Sequence, residues 1–235
     1  MKKCLLHIPV LLILSCSSEE ITSDKLNGTW LHKTLVDTLI STKSMLKASG
    51  SANASYLEIK NGAINGWEGF HSTLGNSIEK LRLTNVPFTY TIKGNSKDTV
   101  IIQDKDSCNR IMLSFYDNGV YIRLNEPVEF YINKIVIAGR YSDKTGDNYY
   151  FNSDGSTNWP SSGFMYEIIK DYWMIQKDCI EFKDTVKQKS FYYGYSWNED
   201  VLRFHKPIDF SDSTNIPDEY MDFQTTPFID FVKKQ

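Results

Sequence analysis

The feature that most constrains this chain is an internal repeat. Residues 111–130 and 191–210 align without a gap at a constant offset of 80. Asn118/Asn198, Arg123/Arg203, Pro127/Pro207 and Phe130/Phe210 are identical at that offset, and Ile122/Leu202, Val128/Ile208 and Glu129/Asp209 are similar. Earlier blocks follow in the same order. Asp98–Ile102 faces Asp178–Phe182, Phe88–Ile92 faces Phe164–Ile168, and Tyr56–Trp67 faces Tyr149–Trp159 with one gap. At the head, Asn27-Gly-Thr-Trp30 faces Ala138-Gly-Arg-Tyr141. A chain written twice folds as two copies of one supersecondary unit, which either stand as two bodies or share one sheet.

Each copy reads as β structure. Phe191, Tyr193 and Tyr195 alternate with smaller or more polar neighbours, as do Val120, Ile122 and Leu124, and period-two alternation is the mark of a strand with two unlike faces. Asn61-Gly62, Asp117-Asn118-Gly119 and Asp154-Gly155 are hairpin signals, because the tight turns of hairpins need positive φ. The expected fold class is all-β: two tandem antiparallel meander barrels or sandwiches, one over residues 24–134 and one over 135–235. An insert at about 35–53, with Leu35, Leu39, Ile40 and Leu46, suits a short helix or lid loop. Phe130–Ile137 reads as a further strand between the copies. In the tail, Pro217 and Pro227 precede Phe228, Phe231 and Val232, a spacing that predicts a short C-terminal helix.

The N-terminus is an address. Lys2 and Lys3 precede an apolar run from Leu5 to Leu14 that is too short to span a bilayer, which takes about 20 residues. The run ends Leu12-Ile13-Leu14-Ser15-Cys16 and resembles a bacterial lipoprotein signal. The resemblance implies that residues 1–15 are removed and that Cys16 carries the lipid attachment, with 16–23 as a tether. Ser-Ser-Glu-Glu behind Cys16 resembles the export tag of Bacteroidota-type surface lipoproteins; a plain polar tether is the alternative. The expected location is the cell envelope, as an outer-membrane lipoprotein on either face. Cys108 and Cys179 remain in the body, where one bridge is permitted but not dictated.

Each copy opens with Gly-x-aromatic, Gly28 and Trp30 in the first and Gly139 and Tyr141 in the second. Each also carries an Arg late, Arg123 and Arg203. This pairing resembles the lipocalin (calycin) signature. The resemblance implies barrel closure, with Arg123 over Trp30 and Arg203 over Tyr141. In the competing arrangement, one large shared barrel, Arg203 would meet Trp30.

Chemistry is sparse in the sequence. A formal net charge of −3 gives no basic footprint for nucleic acid. Ser44-x-x-Lys47, Ser51-Ala-Asn53 and Lys144-Thr-Gly146 mimic a penicillin-binding enzyme, but a β meander has no buried helix to carry the nucleophile. His32, His71 and His205 have no partners at zinc-ligand spacing, so no metal and no cofactor is expected. The aromatic load, 14% of the residues, is the better clue. Trp67, Trp159, Trp197, Tyr193 and Tyr195 are the candidate ligand-binding side chains, as an exposed platform or a barrel mouth, with filling of two small barrel cores as the plainer reading of the same residues. The expected function is a non-enzymatic, lipid-anchored binding protein for a small apolar molecule or a glycan. A protein–protein interaction module of the envelope is the alternative, and a hydrolase with clustered carboxylates comes third.

Overall fold

The computed structural model describes residues 23–51, 55–61, 63–68, 72–73, 79–83, 89–92, 95–103, 109–114, 119–170, 177–208 and 222–234. Cys16, the tether up to residue 22, His71 and Cys108 lie outside the described residues.

A 3₁₀ turn at Ser23–Leu26 leads into β1 (Gly28–His32), and two helices follow at once, α1 (Lys33–Thr42) and α2 (Met45–Ser49). The meander then runs through β2 (Tyr56–Lys60), β3 (Ala63–Glu68), β4 (Ser72–Thr73), β5 (Glu79–Leu83) and β6 (Thr89–Ile92). It continues through β7 (Asn95–Ile102), β8 (Arg110–Leu113) and β9 (Val120–Arg123). Helix α3 (Val128–Val136) separates these strands from β10 (Gly139–Ser142), β11 (Asn148–Phe151), β12 (Ser156–Thr157) and β13 (Phe164–Ile168). The chain ends with β14 (Cys179–Asp184), β15 (Lys189–Asn198), β16 (Val201–His205) and β17 (Ile229–Lys233).

The first nine strands make one antiparallel sheet in the order β2-β1-β9-β8-β7-β6-β5-β3-β4, and β2 also pairs β3, so the sheet curls over on itself. Strands β10 to β17 form a closed antiparallel barrel in sequence order. Closure lies within each unit: Trp30 pairs Arg123 across β1 and β9, while β10 meets β17. The shared-barrel arrangement is therefore not the one adopted.

Two expected elements are corrected. The tail is a strand, not a helix. Ile229, Phe231 and Lys233 alternate with the exposed Asp230 and Val232, which is period two. Without β17 the edges of β10 and β16 would be open rows of unpaired N–H and C=O groups, and β17 pairs with both. The opposite change occurs at Phe130–Ile137, which belongs to helix α3. Pro127 sits immediately before its first turn, where a fixed φ and a missing N–H are no handicap. Ile132, Asn133 and Val136 then fall on one buried face.

The insert forms α1 and α2, each capped by its own side chain: His32 Nδ1 accepts from Thr34 N (3.2 Å) and Ser44 Oγ accepts from Lys47 N (3.1 Å). Ser44-x-x-Lys47 is thus a helix start. Lys144-Thr-Gly146 lies in the turn between β10 and β11, where Asp143 Oδ1 accepts from Thr145 N (2.9 Å). Among the described residues, no helix is long and apolar enough to cross a membrane.

Two cores result. Leu26, Trp30, Leu57, Ile59, Ile64, Val100, Ile111 and Tyr121 pack inside the curled sheet. The second core joins Leu35, Leu39, Met45 and Ala48 of the insert to Ile132 and Val136 of α3 and to the barrel rings Tyr141, Phe151, Trp159, Phe182, Phe204 and Phe231. The insert of the first unit therefore completes the core of the second. At the contact, Leu46 N donates to Asp178 Oδ1 (2.8 Å) and Lys43 Nζ donates to the Ile135 carbonyl (3.3 Å).

Phe231 tests the role of β17. It is fully buried and its ring touches those of Tyr141, Tyr149, Phe151, Trp159 and Phe204. Phe231→Ala is expected to cost about 3–5 kcal/mol in urea unfolding. Val232→Ala, at a position 48% exposed, should stay within about 0.5 kcal/mol of the parent.

Candidate functional site

The signature residues organise the closing strands. In the first unit Trp30 is buried, and its Nε1 donates to the Leu26 carbonyl four residues upstream (3.0 Å). Arg123 lies over the indole, its guanidinium carbon 5.8 Å from the ring centroid. The same guanidinium donates to the Lys25 carbonyl (3.1 Å) and to the Asn27 carbonyl. Gly28 makes room for it: φ is +145°, and an added Cβ would lie 3.2 Å from Arg123 Nε. Lys cannot reproduce a flat fork that stacks and donates twice. Arg123→Lys should therefore lower stability by about 1–2 kcal/mol, read as a drop of several degrees in Tm; an unchanged Tm would show that the contact is incidental.

The second unit keeps the device but changes the cation. Tyr141 is buried, and its hydroxyl donates to the Ile137 carbonyl, again four residues upstream. Burial pushes its phenol pKa well up, so it stays a donor. The cation over this corner is Lys233 of β17, whose Nζ donates to the Ala138 carbonyl (3.3 Å) and whose stem crowds Gly139. Arg203 does not lie over Tyr141. Strand β17 stands between β16 and β10, so Arg203 is opposite Asp230 instead, with Nε 3.5 Å from its carboxylate and outside hydrogen-bond geometry.

The candidate aromatic platform is largely interior. Trp159 and Tyr195 are 6% and 4% exposed, and Tyr193 is half-buried between Trp159, Phe182, Phe204 and Phe228. Trp197 packs against Tyr141, with Lys43 Nζ 5.1 Å above its ring. All four hold the barrel together; period two turns Tyr193, Tyr195 and Trp197 to the same side of β15. Trp67 stands on β3 opposite Tyr56 and Thr73, and its side chain lies outside the described residues. Cys179 is a buried free thiol whose pKa is pushed up to about 12 by burial.

An open groove of about 820 Å³ lies instead against the outer face of β10 and β11. Tyr141 and Tyr149 pair on the inward face of these strands, so Arg140 and Tyr150, also directly paired, point outward. Tyr150 is 41% exposed. Asn148 and Asn152 share its side of β11, and Asn158 crosses from beyond β12, its Oδ1 accepting from Tyr150 N (2.8 Å). Lys134 of α3 and Lys234 after β17 complete the rim. Lys134 pairs with Glu126 (3.3 Å) and Lys234 Nζ donates to Asn148 Oδ1. Among the described residues, Arg140 has no side-chain partner and no carboxylate lines the groove. A flat ring, three amides and three cations thus face one trough. The signal in the sequence was Asn148-x-Tyr150-x-Asn152, a polar and aromatic row at the period of one strand face.

Among the described residues, no group of three or more His, Cys, Asp or Glu side chains is placed to hold a metal ion. Comparison with protein-family models, with curated proteins and with solved structures found no match to this chain.

Proposed function

We propose that this chain is a lipid-anchored envelope protein that binds an acidic glycan in the groove on β10 and β11, and that its β units are of lipocalin-like type. The observation that carries the binding site is the groove itself. Amides donate and accept toward hydroxyls, a tyrosine ring offers an apolar face with a polar tip, and Arg140 offers an unpaired fork to a carboxylate or sulfate. A concave site with a few convergent polar groups is what a soluble ligand needs. An apolar ligand inside the second barrel is less well supported, because buried rings fill that interior. The lipocalin-like reading rests on Gly28, Trp30 and Arg123, with Gly139, Tyr141 and Lys233 as the second set.

The test is a panel of soluble acidic and neutral polysaccharides, read by affinity electrophoresis and calorimetry. Binding to acidic members is expected, with Arg140→Ala and Tyr150→Ala each weakening it at least tenfold at unchanged Tm. Equal binding by both variants, or none by the parent, would remove the groove from consideration.

The anchor is tested separately. Cys16→Ala should abolish incorporation of radiolabelled palmitate and release the body from membranes. One acyl chain holds a protein only reversibly, so stable retention requires the full modification. A variant labelled and retained like the parent would refute the anchor.

A further inference from the structure

A second recess, about 360 Å³, lies on the outer face of β15 and β16 where α2 and residues 223–225 cross it. Two of its lining side chains are joined in a way the sequence did not announce. Ser196 Oγ and His205 Nε2 are 2.8 Å apart, and His205 Nδ1 is 2.9 Å from the Gln224 carbonyl. A carbonyl only accepts, so Nδ1 carries the proton and Nε2 presents its lone pair to the serine hydroxyl. Burial holds the His205 pKa below its ordinary value, opposed by the hydrogen bond to Gln224 and by Asp230 and helped by the Lys177 and Arg203 cations. The imidazole is therefore a neutral base at pH 7.

The surroundings keep this arrangement in place. Gly194 is the direct partner of His205, and Phe223 lies against it so closely that an added Cβ would sit 2.7 Å from Phe223 Cγ. The strap is tied on both sides. Ile208 N donates to Asp222 O (2.8 Å), Gln224 N to Lys206 O (2.9 Å) and Lys177 Nζ to Phe223 O (2.6 Å). The missing side chain at Gly194 thus lets the strap approach, and the strap aims the Gln224 carbonyl at His205. Lys47 lines the same recess and has no side-chain partner among the described residues.

From this geometry we infer that Ser196 and His205 form a nucleophile–base pair that cleaves small carboxylic esters, with the Gln224 carbonyl as the positioning group and Lys47 as a cation lining the same recess. Hydrogen-bonded serine, base and orienting acceptor are the three parts such a site needs. Ser196 Oγ attacks the ester carbon while its proton passes to Nε2. The tetrahedral adduct collapses, and the leaving alkoxide takes that proton and departs as the alcohol. Water then attacks the acyl-serine, giving its proton to Nε2, and the acid leaves as the proton returns to Ser196. A carbonyl stabilises the imidazolium less than a carboxylate would, so turnover is expected to be slow.

The probe is a biotinylated fluorophosphonate at pH 7.5, with adducts mapped by peptide mass spectrometry. One adduct on Ser196 is expected. Ser196→Ala should abolish it, His205→Gln should slow it at least a hundredfold, and Ser190→Ala on the same strand should leave it intact. As a check that does not depend on His205→Gln folding, the thiol of Ser196→Cys should alkylate with iodoacetamide at least tenfold faster than that of Ser190→Cys. No adduct on Ser196 in the folded parent, labelling unaffected in a folded His205→Gln, or equal alkylation of the two thiols would overturn the proposal.

Discussion

The structure depends on how its sheets close. An open edge exposes backbone donors and acceptors that another chain can pair with, so a meander of short strands needs its ends tied. Both units tie theirs with a buried aromatic two residues after a glycine, bonded to a carbonyl four residues upstream, beside a cation from the neighbouring strand that stacks on the ring only in the first unit. The cation also binds the carbonyl just before the glycine, at Asn27 or Ala138. Strand pairing, ring packing and capping of the preceding turn thus meet at one corner. The cation changes from Arg123 to Lys233 because the second barrel takes its last strand from the tail.

That substitution of strands follows from a difference in length. Between β3 and β6 the first unit has β4 and β5, whereas β12 runs directly on to β13 in the second. The second barrel makes up its ring with β17, and the first unit supplies its helices to the second core. Asp178 holds the start of α2, and Lys43 covers Trp197. The two units are thus coupled through a shared apolar cluster rather than through a linker. Truncating either one would strip apolar cover from the other.

A barrel filled with rings has a consequence for function. Dense aromatic packing leaves little interior volume in the second barrel, and the two recesses lie on its outer faces. The groove on β10 and β11 and the recess on β15 and β16 are both built from outward-pointing residues of barrel strands, each completed by a segment from elsewhere in the chain. In the groove the visitors are Lys134 and Lys234; in the recess they are α2 and the strap at Phe223. A rigid scaffold with borrowed rim residues can hold polar groups at fixed spacing without a cavity in its core.

The β class and the repeat were legible in the sequence, because both are written in local periodicity and in a duplicated pattern; the contact of Arg123 with Trp30 was an implication of the lipocalin resemblance, and the choice of helix over lid loop in the insert came with its packing against the second core. It misread two segments. Phe130–Ile137 is apolar enough for either period, and only its packing against the barrel selected the helix; the tail became a strand because β10 and β16 each lacked a neighbour. The sequence left open whether Trp159 and Tyr195 fill a core or face water, since an aromatic residue has the same letter in either place, and the packing decided for the core. The outward row Asn148, Tyr150 and Asn152 was legible in principle, as a period-two pattern. The meeting of Ser196, His205 and the Gln224 carbonyl was not, because it joins diagonal neighbours on a hairpin to a backbone atom from a distant strap, and only tertiary structure brings such groups together.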